Sequence, residues 1–256
     1  MKKSILFMFV MSMMLVSFKA GVEYQRGDVD QDGAVNITDV TCLIEYLLFG
    51  TWPDEPVTPP DTHEYVDLGL PSGTLWATVN VGATRPNEFG DYFAWGETEP
   101  KEEYDWNNYK WCNGSENTMT KYCSNSSFGI VDNKIELDPE DDAAYVNWGP
   151  SWRMPTHEQL QELVENCTWE WTVYSGVSGC LFTGSNGNTM FLPGAGYRYY
   201  DVYSGSDDGG ICWSRTIDPE YNHAYYINFY MWDVRYNFSS RRMDGFSVRP
   251  VRVSQN

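Results

Sequence analysis

The chain has 256 residues, 36 of them Asp or Glu against 17 Lys or Arg, for a formal charge of −19. A balance that acidic excludes nucleic acid as a partner, because neutralising a phosphate backbone takes a basic face and the sequence offers none. The length allows one medium domain with a sizeable core plus a small appendage.

In chain order, Lys2 and Lys3 precede an apolar run from Ile5 to Phe18 that ends at Ala20-Gly21, the order of parts in a secretory signal peptide. The run falls short of the ~20 residues a spanning helix needs. Residues 1–20 are therefore expected to be removed, leaving no transmembrane segment and a secreted or cell-surface chain.

Gly27-Asp-Val-Asp-Gln-Asp-Gly-Ala-Val-Asn-Ile-Thr-Asp39 follows. With Asp28 as loop position 1, Asp30 falls at 3, Asp32 at 5, Gly33 at 6, the Ala34 carbonyl at 7, Asn36 at 9 and Asp39 at 12. A hard cation takes its ligands from alternate residues of a tight loop, and the glycine permits the sharp turn, so calcium is the expected cofactor. Val40, Leu43, Ile44, Leu47 and Leu48 then recur on one face of an exiting helix that Gly50 ends.

This EF-hand-like loop and helix, within residues 21–50, resembles one repeat of a type I dockerin, a family that also places Asp at position 12. The resemblance implies calcium in the loop and a cohesin-like protein partner, read at the positions of Ile37 and Thr38. Dockerins carry two such repeats, and only one is legible here. Residues 51–62, with Pro53, Pro56, Pro59 and Pro60, read as an extended linker to a domain over 63–254.

Within that domain, 64–82 forms two strand-like runs about Pro71-Ser-Gly73, whereas residues 99–147 are turn-rich and expected to make a long surface excursion. Thr156 and Gln159 have the spacing of a capping box after Pro155, and Leu160, Leu163, Val164 and Cys167 make one apolar stripe, so a helix is expected over 156–166. Thr189–Leu192, Cys212–Arg215, Ala224–Tyr230 and Gly245–Arg252 read as strands, and Pro193–Arg198 as a turn. No CxxC pair occurs among the six cysteines; Cys112 with Cys123 is the favoured bridge, with free thiols as the alternative.

Val66-Asp-Leu-Gly-Leu-Pro-Ser-Gly73, Gly90-Asp-Tyr-Phe-Ala-Trp-Gly-Glu97, Trp152-Arg-Met-Pro-Thr156, Phe191-Leu-Pro-Gly-Ala-Gly-Tyr-Arg198 and Gly245-Phe-Ser-Val-Arg-Pro-Val251 together resemble the Fibrobacter succinogenes major paralogous domain. The helix start and the terminal Gly-Phe-Ser-Val-Arg are also similar to the formylglycine-generating branch of the C-type-lectin-like fold. The resemblance implies an α+β fold: a twisted antiparallel sheet with adjacent terminal strands, long loops and one main helix packed on the sheet.

A formylglycine-generating oxidase would need a copper-binding cysteine pair, for which Cys180 and Cys212 are the candidates. The three histidines, His63, His157 and His223, suggest no triad, and the sequence lacks the Glu-Pro-Asn or Gln-Pro-Asp triplets of calcium-bridged sugar sites. Aromatic residues crowd the last quarter, and rings beside Asp and Asn suit stacking on sugar faces. The lectin-like resemblance places Tyr197, Arg198, Tyr199, Tyr200, Trp213, Arg215, Tyr236 and Asn237 in the loop half of the fold, the expected lining of a ligand groove. Arg198 and Arg215 are expected to pair internally with Asp207 or Asp208, or to take an acidic sugar.

These features point to a non-catalytic module for a polysaccharide or glycoprotein ligand, in an adhesive or polysaccharide-handling setting. A secreted enzyme, a carbohydrate hydrolase or the oxidase, is the rival.

Overall fold

The computed structural model describes residues 37–49, 62–206 and 208–252. The chain divides into two units, 1–60 and 61–256. In the first, one helix is described, α1 (Ile37–Phe49). The leader, the loop positions Asp28 to Asn36 and the proline stretch 51–61 lie outside the described residues. Among the described residues no helix is long and apolar enough to cross a membrane.

The second unit is mixed α and β with mostly antiparallel sheets. Strands β1 (Tyr65–Asp67), β2 (Leu75–Ala77), β12 (Val251–Arg252) and β3 (Trp152–Arg153) form one sheet in the order β1-β2-β12-β3, so the last strand of the unit pairs with the second strand of its first hairpin. The largest sheet runs β11-β10-β9-β7-β8, built from β7 (Ala195–Tyr199), β8 (Val202–Ser206), β9 (Gly209–Asp218), β10 (His223–Tyr230) and β11 (Asp233–Ser240). Its one parallel contact is Gly196 with Gly210, between β7 and β9. A third sheet holds β4 (Thr168–Tyr174), β5 (Val177–Thr183) and β6 (Thr189–Pro193). The turn from β4 to β5 is Ser175-Gly176 with φ of 49° and 85°, the pair of left-handed residues that a two-residue hairpin requires.

Two α-helices are described here, α2 (Ala143–Trp148) and α3 (His157–Asn166). The capping box forms as the spacing implies: Thr156 Oγ1 accepts from Gln159 N at 3.1 Å, and Gln159 Oε1 accepts from Thr156 N at 2.9 Å. Leu160 and Leu163 of α3 are fully buried against Leu68, Phe182, Leu192 and Phe229.

The C-terminal segment is less regular than the expected strand and more central. Every residue from Arg242 to Val251 is buried. Its backbone bonds outward to several elements at once: Phe246 exchanges both hydrogen bonds with Phe93, Gly245 both with Arg198, and the carbonyls of Ser247, Val248 and Pro250 accept from Trp213, Val81 and Ala77. A segment surrounded on all sides satisfies its polar backbone piecemeal, so only Val251–Arg252 keeps ladder geometry.

Three expectations are corrected. Residues 99–147 do lack long elements, but they are not a surface excursion, since Tyr104, Tyr109, Met119, Tyr122 and Cys123 are all buried. The reason is the polar tip of an aromatic ring. Tyr104 Oη donates to the Tyr92 carbonyl at 2.6 Å, Tyr109 Oη to Trp95 O at 2.8 Å and Trp111 Nε1 to Gly96 O at 2.7 Å, so this segment supplies donors for a stretch that no regular strand pairs. Pro193–Arg198 is not a turn, because β7 begins at Ala195 directly after β6.

The Cys112–Cys123 bridge is not formed; all six cysteines are free. Cys112 Sγ donates to Trp106 O and Cys123 Sγ to Asn125 O, each at 3.1 Å. Alkylation of the unfolded protein without prior reduction should therefore label six thiols, whereas a mass change on reduction would reveal a bridge.

Candidate functional site

Asp39 is the third residue of α1, where a carboxylate is favoured by the helix's positive end. Of the six expected calcium ligands it is the one within the described residues, and its side chain is not among those described. Asp28, Asp30, Asp32, Ala34 and Asn36 lie outside them. Among the described residues no group of three or more His, Cys, Asp or Glu side chains is placed to hold a metal. The sequence of α1 still bears on function: Val40, Ile44, Leu47 and Leu48 are exposed at i, i+4, i+7 and i+8, an apolar stripe facing outward, with Cys42 buried.

The eight residues of the expected ligand groove divide among the surroundings of Phe246, the end of β7, the start of α3 and the side of α3. Trp213 has no exposed surface: its Nε1 donates to Phe93 O at 2.8 Å and its ring stacks on Phe246 at 4.0 Å. A side chain so placed is core and lines no groove. Tyr197 is half-buried edge-on to Phe246. The Arg198 guanidinium lies over the rings of Tyr92 and Tyr203, 5.5 and 5.2 Å from their centroids. Tyr199 accepts from Arg241 Nη1 at 3.1 Å, and Tyr200, in a left-handed conformation at φ 52°, is exposed beside it.

Arg215 does pair internally, with Glu136 at 2.9 Å. It also donates to the Met154 carbonyl at 3.2 Å, tying β9 to the start of α3. Tyr236 donates to Glu165 Oε1 at 2.7 Å, clamping β11 to α3, and Asn237 is exposed. Cys180 and Cys212 are both buried, and burial pushes each thiol up to about 12. A thiolate, the metal-binding form, is thereby disfavoured at both.

The surface does contain a groove, on a face that this set of residues does not cover. It is an open depression of about 280 Å³ on the β10–β11 hairpin, floored by Tyr226, Asn228 and Tyr230 and walled by Trp232, Asp233, Arg235 and Phe238. Alternation along β10 puts 226, 228 and 230 on one face while Ile227 and Phe229 enter the core. On β11 simple alternation would separate Arg235 from Phe238. A bulge intervenes: Asn228 pairs Arg235 but Tyr226 pairs Phe238, so one extra residue of β11 sits between them and both side chains reach the groove. The β10 half is legible as alternation in Ala224–Tyr230; the bulge is not.

Residues 26–68 match the family model of the type I dockerin domain. No curated protein and no solved structure matches the chain. The span that matches starts before the acidic loop, includes the whole of α1 and ends just after β1, so over residues 26–68 this chain is similar to type I dockerin domains.

Proposed function

We propose that the chain is a non-catalytic, secreted or cell-surface binding module whose N-terminal segment is a single calcium-ordered dockerin-like repeat. The observation that carries this is the dockerin match over 26–68, falling on a loop with Asp28, Asp30, Asp32, Asn36, Asp39 and the Ala34 carbonyl in ligand register. Dockerins assemble proteins through cohesins, and the outward apolar stripe of α1 is the kind of surface such a partner would cover. The layout is then a leader over 1–20, the repeat over 21–50, a proline linker over 51–62 and a ligand-binding domain over 63–254.

For that larger domain we favour the lectin-like reading and the resemblance to the Fibrobacter succinogenes major paralogous domain. Supporting it are the last strand paired with the N-terminal hairpin, the mostly antiparallel sheets and one main capped helix. A carbohydrate or protein ligand suits a domain whose exposed side chains include Tyr200, Tyr203, Tyr221, Trp232 and Phe238. The oxidase alternative is disfavoured by the burial of Cys180 and Cys212.

Calcium titration of the mature chain by calorimetry tests the reading. Without the ion, the four carboxylates of this sequence would repel one another, so calcium should bind with ordering of the segment, and Asp32→Ala should weaken it at least about tenfold. Absent uptake, or uptake unchanged in Asp32→Ala, would overturn it.

A further inference from the structure

We propose that the groove on the β10–β11 hairpin binds a neutral sugar chain through the apolar faces of its pyranose rings. The inference rests on reading the larger unit as a binding module and names the ligand class and the site. Trp232 is 72% exposed at the turn, and its ring lies nearly parallel to that of Tyr230, at 11° with centroids 6.0 Å apart. The exposed indole beside a ring of the same orientation offers flat apolar surface, which stays in water at a cost and which the C–H face of a pyranose would cover. The ring of Tyr230 lies against bare backbone, since a Cβ on Gly209 of the neighbouring β9 would collide with it.

The polar groups are arranged for hydroxyls. Asp233 accepts and Arg235 donates; Asn228 also lines the groove, with its Oδ1 buried and without a hydrogen-bond partner. Asp233 and Arg235 are paired with each other, so the groove carries no net charge and has no means of selecting an anion. Other occupants fit less well. Nucleic acid would be repelled by a chain of charge −19. A folded protein needs a contact of roughly 800 Å² per side, far more than this depression provides.

Affinity electrophoresis of the mature chain through gels containing hydroxyethyl cellulose, xyloglucan, galactomannan or polygalacturonate tests the proposal. Retardation is expected in at least one of the three neutral polymers, with the association constant falling at least about tenfold in Trp232→Ala. The melting temperature should not move, because that ring is mostly in solvent. Trp232→Phe, which keeps a flat ring, should restore part of the retardation. Retardation by polygalacturonate alone, or retardation that survives Trp232→Ala, would overturn the groove. Loss on Tyr200→Ala instead would move the site to the end of β7 and leave the binding-module reading standing. A chain that takes up calcium but is retarded by no polymer would overturn this inference alone.

Discussion

Replacing Arg249 by Met should destabilise the larger unit by about 4 kcal/mol, and replacing it by Ala by about 5 kcal/mol, with urea midpoints falling in that order. The guanidinium is 1% exposed. Its Nε donates to Asn80 Oδ1 at 2.8 Å, Nη1 to the Ala77 carbonyl at 3.0 Å and Nη2 to the Phe191 carbonyl at 3.1 Å. One planar fork thus joins the C-terminal segment to β2, to the loop after it and to β6. All three acceptors are neutral, and burial lowers the guanidinium's pKa to about 10, so it is still charged at neutral pH.

Methionine restores much of the volume but leaves three acceptors without donors, and each stranded acceptor costs roughly 1–3 kcal/mol before relaxation. Alanine adds a cavity to the same loss. Lysine keeps the charge and loses the fork, so it should rescue only part of the stability, about 1 kcal/mol relative to Met. A Met variant within about 0.5 kcal/mol of the parent would mean that water takes over all three bonds.

Comparing residues shows what the sequence made legible. The α3 helix could be read because its signals are local: Thr156, Gln159 and the leucines three residues apart act within one turn of each other. The expected calcium spacing is local in the same way, its candidate ligands falling within twelve sequence positions. Arg249 could not, because its partners Asn80, Ala77 and Phe191 are distant in sequence and its charge alone suggests an exposed side chain. The β4–β5 hairpin is marked locally, by the polar-apolar alternation of Thr168–Val173 and by Ser175-Gly176 at its turn, although Val173 and Tyr174 at its tip are exposed rather than buried. The lectin-like resemblance implies a groove position for Trp213, yet the carbonyl of Phe93 and the ring of Phe246 hold it in the core. The groove on the hairpin depended on a bulge, which shifts register by one residue without a distinctive composition.

Asp142 lies in the stretch that reads as featureless from sequence, and Asp142→Ala should cost about 4 kcal/mol. It has no exposed surface. One carboxylate oxygen, Oδ1, accepts from the backbone N–H groups of Ala144 at 2.9 Å, Tyr145 at 3.2 Å and Met154 at 3.0 Å. The other, Oδ2, accepts from Met154 N at 3.0 Å and Arg153 Nε at 2.8 Å. It is therefore the N-cap of α2 and the acceptor that holds β3 against that helix. A helix of six residues has little stability of its own, so losing its cap should unravel α2 and release the indole of Trp148 from its edge contact with Trp152.

Asparagine separates the roles of the two oxygens. With its carbonyl at the Oδ1 position it keeps the cap but turns an NH2 toward two donors, Arg153 Nε and Met154 N. Asp142→Asn should therefore cost about 2 kcal/mol and leave α2 helical, half the effect of alanine. A double-mutant cycle with Arg153→Gln isolates the ion pair. Arg153 also donates to the Leu137 carbonyl at 2.7 Å, so its single substitution overstates the pair. The cycle should return a coupling of about 1–2 kcal/mol, as befits a charge-assisted bond to a buried carboxylate. A coupling near zero would assign the stability to the three backbone donors alone.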